Sequence, residues 1–135
     1  MIVLDTGVLF GFEVEGDKKH ADAVRIVNDA INGAYGAAVI TDYIFDETVT
    51  LTLARTKDLS KAIIIGEHLK NLEILKVDQT IFDDAWSMFK AQKTKKRLSF
   101  TDFTTIAAMK ANGINKVAAF DSGFNYVRGI AVIDS

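Results

Sequence analysis

The sequence predicts an α/β fold in which a parallel, or mostly parallel, β-sheet is flanked by helices on both faces in three layers. The chain opens with an apolar run, residues 1–4, that ends at Asp5 and is typical of a strand buried on both faces. Similar runs alternate along the chain with segments of helical period, and the connections are only a few residues long, which favours parallel strands. At 135 residues, one domain spanning residues 1–135 is expected.

The first half of the chain is predicted to contain two strands and two long helices. These elements are a strand at residues 1–4, a loop at 11–17, a helix at 18–32, a strand at 37–40 and a helix at 43–56. Asp17 is expected to cap the first helix and Gly33 to end it. Residues 48–53 alternate with period two, which favours a strand. However, apolar residues also recur at every fourth position of this segment, and we predict a helix, in part because of the resemblance described below.

The second half repeats the alternation. We predict a helix ending at residue 70, a strand at 72–77, a helix with its apolar face at 81–89, a helix ending at 112, and strands at 116–120 and 130–133. Three helix starts carry capping residues: Ser60, Thr80 with Asp83, and Ser99 with Asp102.

Composition excludes several classes of site. The chain has no cysteine, so disulfides, thiolate zinc sites and cysteine nucleophiles are excluded. With only His20 and His68 present, a metal would need oxygen ligands. The net charge of −2 does not decide for or against a nucleic-acid partner. No apolar run is long enough to span a bilayer and no signal peptide opens the chain, so we expect no membrane association and a cytoplasmic location.

Four acidic residues lie where strands end or helices begin. Asp5 and Asp121 follow predicted strands, Asp102 lies in the first turn of a helix, and Glu47 lies early in another. In a parallel sheet all four would face one edge, where their mutual repulsion would raise their pKa values unless a cation were bound. A hard divalent ion, Mg²⁺ or Mn²⁺, is the natural partner of such carboxylates.

Each acid taken alone also has a purely structural explanation. Asp5 and Asp121 could form turns, Asp102 could serve a capping box, and Glu47 could be an exposed helix residue. The functional interpretation therefore depends on all four sharing one rim. Three further acids have the same chemistry but a weaker placement: Asp42, Asp46 and Asp83.

With these motifs the chain resembles the PIN-domain nucleases and, among them, the small single-domain toxins of the VapC type. The resemblance rests on the opening segment at residues 2–9, on Glu47 about forty residues later, on residues 98–103 at a helix start, and on residues 119–124 near the end. It covers the whole chain in length and order.

The resemblance implies a metal-dependent ribonuclease. Asp5 and Asp121 would be direct metal ligands, Asp102 would complete the shell, and Glu47 would bind through water or help to deprotonate the nucleophile; Thr6 corresponds to the hydroxyl residue beside the first acid. The sequence departs from the family at two positions. Ala119 stands where Ser or Thr is usual and Gly123 where a further acid is frequent, which makes the late part of the site poorer in polar ligands.

A basic segment precedes the Ser99–Asp102 helix start. Residues 90–97 include five cations, among them Lys93, Lys95, Lys96 and Arg97. They could contact RNA phosphates, or they could be a solvated helix end with cations near the helix dipole. The toxin resemblance further implies a small antitoxin that blocks the acidic site, and a homodimer.

Three other functions share some of these features. Asp5-Thr6-Gly7 is also the triplet of aspartic proteases, but those enzymes are almost wholly β and this chain has at least four segments of helical period. Receiver domains also cluster acids at a sheet edge, but they need adjacent acids after the first strand. The third is a PIN-like module that binds RNA or protein with weak or no catalysis, which the residues at 119 and 123 favour.

Overall fold

The computed structural model describes residues 1–93, 95 and 97–135. The elements in chain order are β1 (Ile2–Leu4), α1 (Thr6–Glu13), α2 (His20–Ile31), β2 (Ala38–Thr41), α3 (Asp42–Thr56), α4 (Leu59–Leu69), β3 (Glu73–Leu75), α5 (Gln79–Lys90), α6 (Phe100–Ala111), β4 (Lys116–Ala118), a 3₁₀ helix (Ser122–Tyr126) and β5 (Ala131–Ile133). Within this described part of the chain, no helix is both long and apolar enough to cross a membrane.

The strands form one sheet in the order β3-β2-β1-β4-β5, and every pair of neighbours is parallel. This arrangement confirms the predicted fold class. The chain runs outward from β1 through β2 to β3, then returns across the sheet to β4 on the other side of β1. With right-handed crossovers, this reversal puts α5 and α6 on the face opposite to the helices that connect β1, β2 and β3.

The centre of the sheet explains the continuous apolar run at the start of the chain. All three residues of β1 are buried, and β1 lies between β2 and β4 with helices over both faces. Helix α6 is buried over nearly its whole length, from Asp102 to Met109. The most buried strand, β1, is therefore the one that leads directly into Asp5.

The prediction of a loop at residues 11–17 is wrong at its beginning, because helix α1 runs from Thr6 to Glu13. The segment has no polar face that would reveal a helical period, since most of its residues are buried. Gly11 lies inside the helix rather than at its end. A Cβ atom there would come within 3.1 Å of the Ala23 Cβ, so the missing side chain lets α2 approach closely.

Three capping predictions are also wrong, whereas a fourth agrees with the structure. Helix α2 begins at His20 with Lys19 rather than Asp17 at its N-cap, and the Asp17 side chain accepts the Lys19 backbone N–H instead. Helix α4 is capped by Asp58 rather than Ser60, and α5 by Asp78 rather than Thr80 with Asp83, because in each case the earlier aspartate accepts the backbone N–H three residues on. The capping box at Ser99 has both of its hydrogen bonds, one from each partner. The predicted helix at 43–56 is also present, as α3, and Thr41 caps it.

Candidate metal centre

The four predicted acids lie at the carboxyl end of the sheet, around the point where the strand order reverses. Asp5 directly follows β1, and its backbone N–H donates a 2.9 Å hydrogen bond to the Ala118 carbonyl at the end of β4. Asp121 follows β4 as the cap of the 3₁₀ helix. The crevice between β1 and β4 is the topological switch point, which is the usual ligand position in parallel α/β sheets.

Asp5 is the most unusual group of the site. Its side chain is buried, with 7% exposure, and Oδ1 has no hydrogen-bond partner in the described part of the chain. The pKa of Asp5 is raised to about 8, mainly by burial and then by the negative charges of Asp102 and Glu47, with a smaller contribution from Asp121, while a hydrogen bond from the Thr6 backbone lowers it. A buried carboxylate oxygen without a donor is costly unless the carboxyl is protonated or a cation is bound.

Asp102 is also buried but is held by its own helix start. Its Oδ2 accepts the Ser99 backbone N–H at 3.0 Å, while its own N–H donates to Ser99 Oγ at 3.1 Å. Burial raises the pKa of Asp102, the two Ser99 hydrogen bonds oppose this shift, and the charges of Asp121 and Glu47 add to it. Asp102 therefore belongs to both the capping box and the acid cluster. Its structural role at the helix start is compatible with a functional role in the site.

Asp121 is fixed by the backbone that follows it. Its Oδ1 accepts the Gly123 N–H at 2.8 Å. A Cβ atom at Gly123 would lie 2.5 Å from Leu98 Cδ2, so the space that an acidic side chain would need is filled by leucine. The other departure from the family, Ala119, is buried and donates its backbone N–H to Ile133. Neither position supplies a polar side chain to the site.

Glu47 and Thr6 approach the site from helices α3 and α1. Thr6 is buried as the first residue of α1, and its Oγ1 accepts a 3.2 Å hydrogen bond from Thr48 Oγ1. Glu47, the neighbour of Thr48, is half-buried. Sequence reasoning missed Thr48. The signal was present, because Thr48, Thr52 and Thr56 recur at every fourth position and so share one face of a helix.

The three acids with weaker placement serve the fold. Asp42 Oδ1 accepts the backbone N–H of Val77 at 3.0 Å, which ties α3 to the segment after β3. Asp46 accepts from Thr50, and Asp83 accepts from Gln79, each within its own helix. These contacts account for all three without a ligand.

The donor set suits a hard divalent cation. Across residues 1–93, 95 and 97–135, no three Asp, Glu or His side chains are close enough to hold a metal ion by themselves. The negative charges of Glu47 and Asp121 nevertheless raise the pKa of both Asp5 and Asp102, which places the four acids in one region. Mg²⁺ usually takes only one or two protein carboxylates and completes its shell with water and phosphate oxygens. The unpartnered Asp5 Oδ1 fits such an ion, and the donors are oxygen atoms only.

The basic segment lies beside this site in the chain. Lys93, Lys95 and Arg97 are exposed, whereas Lys96 lies outside the described residues. Two hydrogen bonds connect Gln92, inside this segment, to Leu98, which follows it: the Leu98 N–H donates to Gln92 Oε1 at 2.8 Å, and Gln92 Nε2 donates to the Leu98 carbonyl at 3.1 Å. They hold the chain directly before the Ser99 capping box.

Comparison with known proteins agrees with this arrangement. The PIN domain family model matches residues 2–130. A VapC ribonuclease of Archaeoglobus fulgidus is 32% identical over 124 residues, which cover 91% of this chain and 78% of that protein.

Solved structures share the fold at lower identity. The VapC20 toxin of Mycobacterium tuberculosis, described as cleaving the sarcin-ricin loop, superposes with a TM-score of 0.84 at 22% identity over 96% of this chain and 97% of its own. FitAcB from Neisseria gonorrhoeae superposes with a TM-score of 0.68 at 20% identity over 99% and 97% of the two chains. The resemblance noted in the sequence is confirmed: the chain belongs to the PIN-domain family, as a homologue of the VapC ribonucleases.

Proposed function

We propose that this protein hydrolyses RNA phosphodiester bonds with a divalent metal ion, Mg²⁺ or Mn²⁺, bound at Asp5, Glu47, Asp102 and Asp121. The observation that carries the proposal is the buried Asp5 Oδ1, which has no hydrogen-bond partner among the described residues and lies among other carboxylates. A carboxyl in that position is ionised at neutral pH only if a cation offsets its desolvation and the repulsion of its neighbours.

Each residue then has a distinct role. Asp5 and Asp121 would hold the ion directly, with Asp102 completing the shell from its capping box. The half-buried Glu47 would accept a proton from the attacking water, either directly or through a second water. The metal, when bound, would lower the pKa of a coordinated water and stabilise charge on the phosphate oxygens. Thr6 would supply a hydroxyl donor beside Asp5.

The basic segment would hold the substrate. Lys93, Lys95 and Arg97 are exposed next to the helix start that carries Asp102, and Lys96 belongs to the same segment of sequence. Cations in this position would contact phosphates on either side of the cleaved bond and offset the repulsion between RNA and the acidic site. The short connection through Leu98 keeps these charges near the metal ligands.

A cleavage assay on mixed single-stranded RNA tests the proposal. Purified protein with Mg²⁺ or Mn²⁺ should cut the RNA, and a chelator should stop the reaction. Asp5→Asn should abolish cleavage while the circular dichroism spectrum stays that of the wild type. Asp46→Asn is the matched control, because Asp46 is an exposed acid one residue from Glu47 that contacts only its own helix in the interactions described here. Cleavage by Asp5→Asn at the wild-type rate would refute the assignment.

The biological setting is proposed by analogy with two solved structures. The structure from Rickettsia felis is of a VapBC2 complex bound to a DNA fragment from their promoter, and one from Klebsiella pneumoniae is a toxin–antitoxin complex. We infer by analogy that this chain is the toxin of such a pair, is inhibited by a small antitoxin, forms a homodimer and acts on RNA in the cytoplasm. Co-purification with the product of an adjacent small gene, and light scattering, test the first and third of these inferences.

One observation favours a second function, that of a PIN-like module that binds RNA or protein but cleaves weakly or not at all. Ala119 and Gly123 supply no polar side chain where the family usually has one, and Leu98 fills the space beside Gly123. Metal binding by calorimetry without turnover of any RNA would support this alternative over the ribonuclease.

A further inference from the structure

A group of aromatic rings surrounds the first residue of α6, Phe100. Its ring meets four others edge to face, at centroid distances of 5.1 to 6.5 Å and interplanar angles of 61° to 79°. The four partners are Tyr43 of α3 and Phe82, Trp86 and Phe89 of α5. Trp86 and Phe89 are themselves stacked, with 5.5 Å between centroids and 13° between planes. We call Phe82, Trp86, Phe89 and Phe100 the aromatic platform.

The platform is open to solvent on one side. Trp86 is 48% exposed and Phe82 is 38% exposed, one helical turn apart on the same face of α5. Single exposed apolar residues are common and need no explanation. Two large rings side by side, supported from beneath by Phe89 and Phe100, form instead a contiguous apolar patch, and such patches mark binding surfaces.

The platform and the acidic site include residues of the same two helix starts. Phe100 lies two residues before Asp102, in the same first turn of α6. Tyr43, whose ring contacts Phe100 at 6.5 Å, lies four residues before Glu47 on α3. The same two helix ends therefore carry both the acids proposed to act on the phosphate and rings that border the platform.

Charge near the platform indicates which ligand it fits. The C-terminal end of α5 and the segment after it carry exposed Lys90, Lys93, Lys95 and Arg97. Lys90 Nζ lies 5.8 Å from the centroid of the Trp86 ring. An exposed tryptophan ring in an apolar patch, with a cation near the ring and the proposed cleavage site on two of the same helix starts, suits a nucleotide, whose base stacks while its phosphates contact the cations.

We propose that the aromatic platform binds an unpaired base of the RNA substrate, with Trp86 as the stacking residue; this proposal rests on the proposed ribonuclease function. A base stacked on an aromatic ring gains roughly 5- to 150-fold in affinity. An exposed cation–π contact such as that of Lys90 is worth only about two- to fivefold. A base can therefore displace the ammonium group, which then becomes available to a phosphate.

Trp86 makes the proposal directly measurable, because it is the only tryptophan of the chain. The assay titrates the full-length Asp5→Asn protein with a single-stranded 12-nucleotide RNA and, separately, with an abasic sugar-phosphate chain of the same length. We expect the RNA to quench the tryptophan fluorescence and the abasic chain to bind through its phosphates without quenching. Binding of the RNA at saturation with unchanged fluorescence would overturn the proposal.

Variants separate stacking from folding. Trp86→Ala should weaken RNA binding at least about fivefold, measured by anisotropy of a labelled RNA, and leave affinity for the abasic chain unchanged, whereas Trp86→Phe should stay within about threefold of the wild type. Ile63→Ala on α4 is the matched control, since Ile63 is equally exposed but lies on a helix that packs on α3. Equal RNA affinity of Trp86→Ala and its parent would overturn the proposal.

Two further outcomes are informative. If Trp86→Ala lowers the molar mass in light scattering but not the affinity for RNA, the platform is an interface between two copies of the chain and the stacking proposal is wrong. If wild-type protein with Mg²⁺ or Mn²⁺ does not cleave RNA, yet the RNA quenches Trp86 and the abasic chain does not, the ribonuclease proposal fails while the base-binding surface stands.

Discussion

The hydroxyl of Thr48 donates a 3.2 Å hydrogen bond to the hydroxyl of Thr6, and both side chains are buried. This bond links α3, one residue after Glu47, to the first residue of α1, one residue after Asp5. Because Thr6 Oγ1 accepts there, its own proton is available for another partner. We expect the field of the neighbouring carboxylates to direct that proton toward the acidic site.

Removing the Thr48 hydroxyl should therefore impair catalysis more than folding. We expect Thr48→Val to lower kcat about 3- to 10-fold, in line with the loss of one hydrogen bond, with little change in KM. Thr52→Val is the matched control, because Thr52 is equally buried but its hydroxyl donates to the Thr48 carbonyl within α3.

Steady-state cleavage of a fluorogenic RNA measures both variants, and Thr48→Ser should retain the wild-type kcat. An equal loss of activity in Thr48→Val and Thr52→Val would mean that the Thr48 hydroxyl has only a structural role.

The grouping of the acids could be predicted from the sequence because a parallel topology brings the carboxyl ends of its strands to one edge of the sheet. Once β1 and β4 are identified by their buried apolar runs, any acid that follows them is carried to the same sheet edge. What could not be predicted were interactions decided by tertiary packing. Helix α1 has no polar face that would reveal a helical period, because it is buried on most sides. Leu98 fills the space beside Gly123, 25 positions along the chain, and no local sequence pattern indicates that the two residues are close.

The capping residues of α4 and α5 were predicted wrongly for a different reason. Ser60 and Thr80 are good capping residues in isolation, but Asp58 and Asp78 lie two residues earlier and accept the corresponding backbone N–H groups. Two neighbouring candidates of similar strength cannot be ranked by propensity alone, since the entry angle of the preceding strand or loop decides between them. At Ser99 there was a single candidate with a reciprocal acid, and there the prediction agrees with the structure.

The stability of the metal-free protein should fall as pH rises, because of Asp5. Its pKa is about 8 in the folded protein against 3.8 as the ordinary value. Between these two values the folded state holds a proton that the unfolded state has lost. Unfolding free energy should therefore decrease by up to about 1.4 kcal/mol per pH unit from this group across roughly pH 4 to 8.

Urea denaturation at several pH values with a chelator measures this slope. In Asp5→Asn the slope should be shallower, and Mg²⁺ or Mn²⁺ should restore stability to the wild type at pH 8 but have a smaller effect on the variant. Identical pH slopes for wild type and Asp5→Asn would show that Asp5 does not carry the raised pKa.

The basic segment should determine how RNA binding depends on salt. Changing Lys93, Lys95 and Arg97 together to glutamine should reduce the slope of log K against log salt concentration by up to about 2, since each phosphate contact to a single strand contributes about 0.7. A triple glutamine variant at Lys18, Lys57 and Lys70 is the control, because these residues are also exposed but lie on other parts of the chain. If the variant at Lys93, Lys95 and Arg97 has the same salt slope as the wild type, these cations belong to a solvated helix end and do not contact RNA phosphates.

The contact between Gly123 and Leu98 gives a prediction about the missing acid of the family pattern. A Cβ at position 123 would lie 2.5 Å from Leu98 Cδ2 and 3.0 Å from Cγ. Leu98 is buried, and Gln92 holds both its N–H and its carbonyl, so its backbone cannot easily retreat. Gly123→Ala should therefore destabilise the protein by about 1–3 kcal/mol, as overpacking does.

Leu98→Ala should relieve that clash at the cost of a cavity. Alone it should destabilise by roughly 2–5 kcal/mol. The loss of unfolding free energy in the double variant should be smaller than the sum of the two single losses by at least about 1 kcal/mol, because the two residues compete for one space. Urea denaturation of the four proteins measures this coupling, and additive effects would refute it. By the same reasoning, Gly123→Asp should gain metal affinity only when Leu98 is alanine, since only then is there room for the carboxylate beside Asp121.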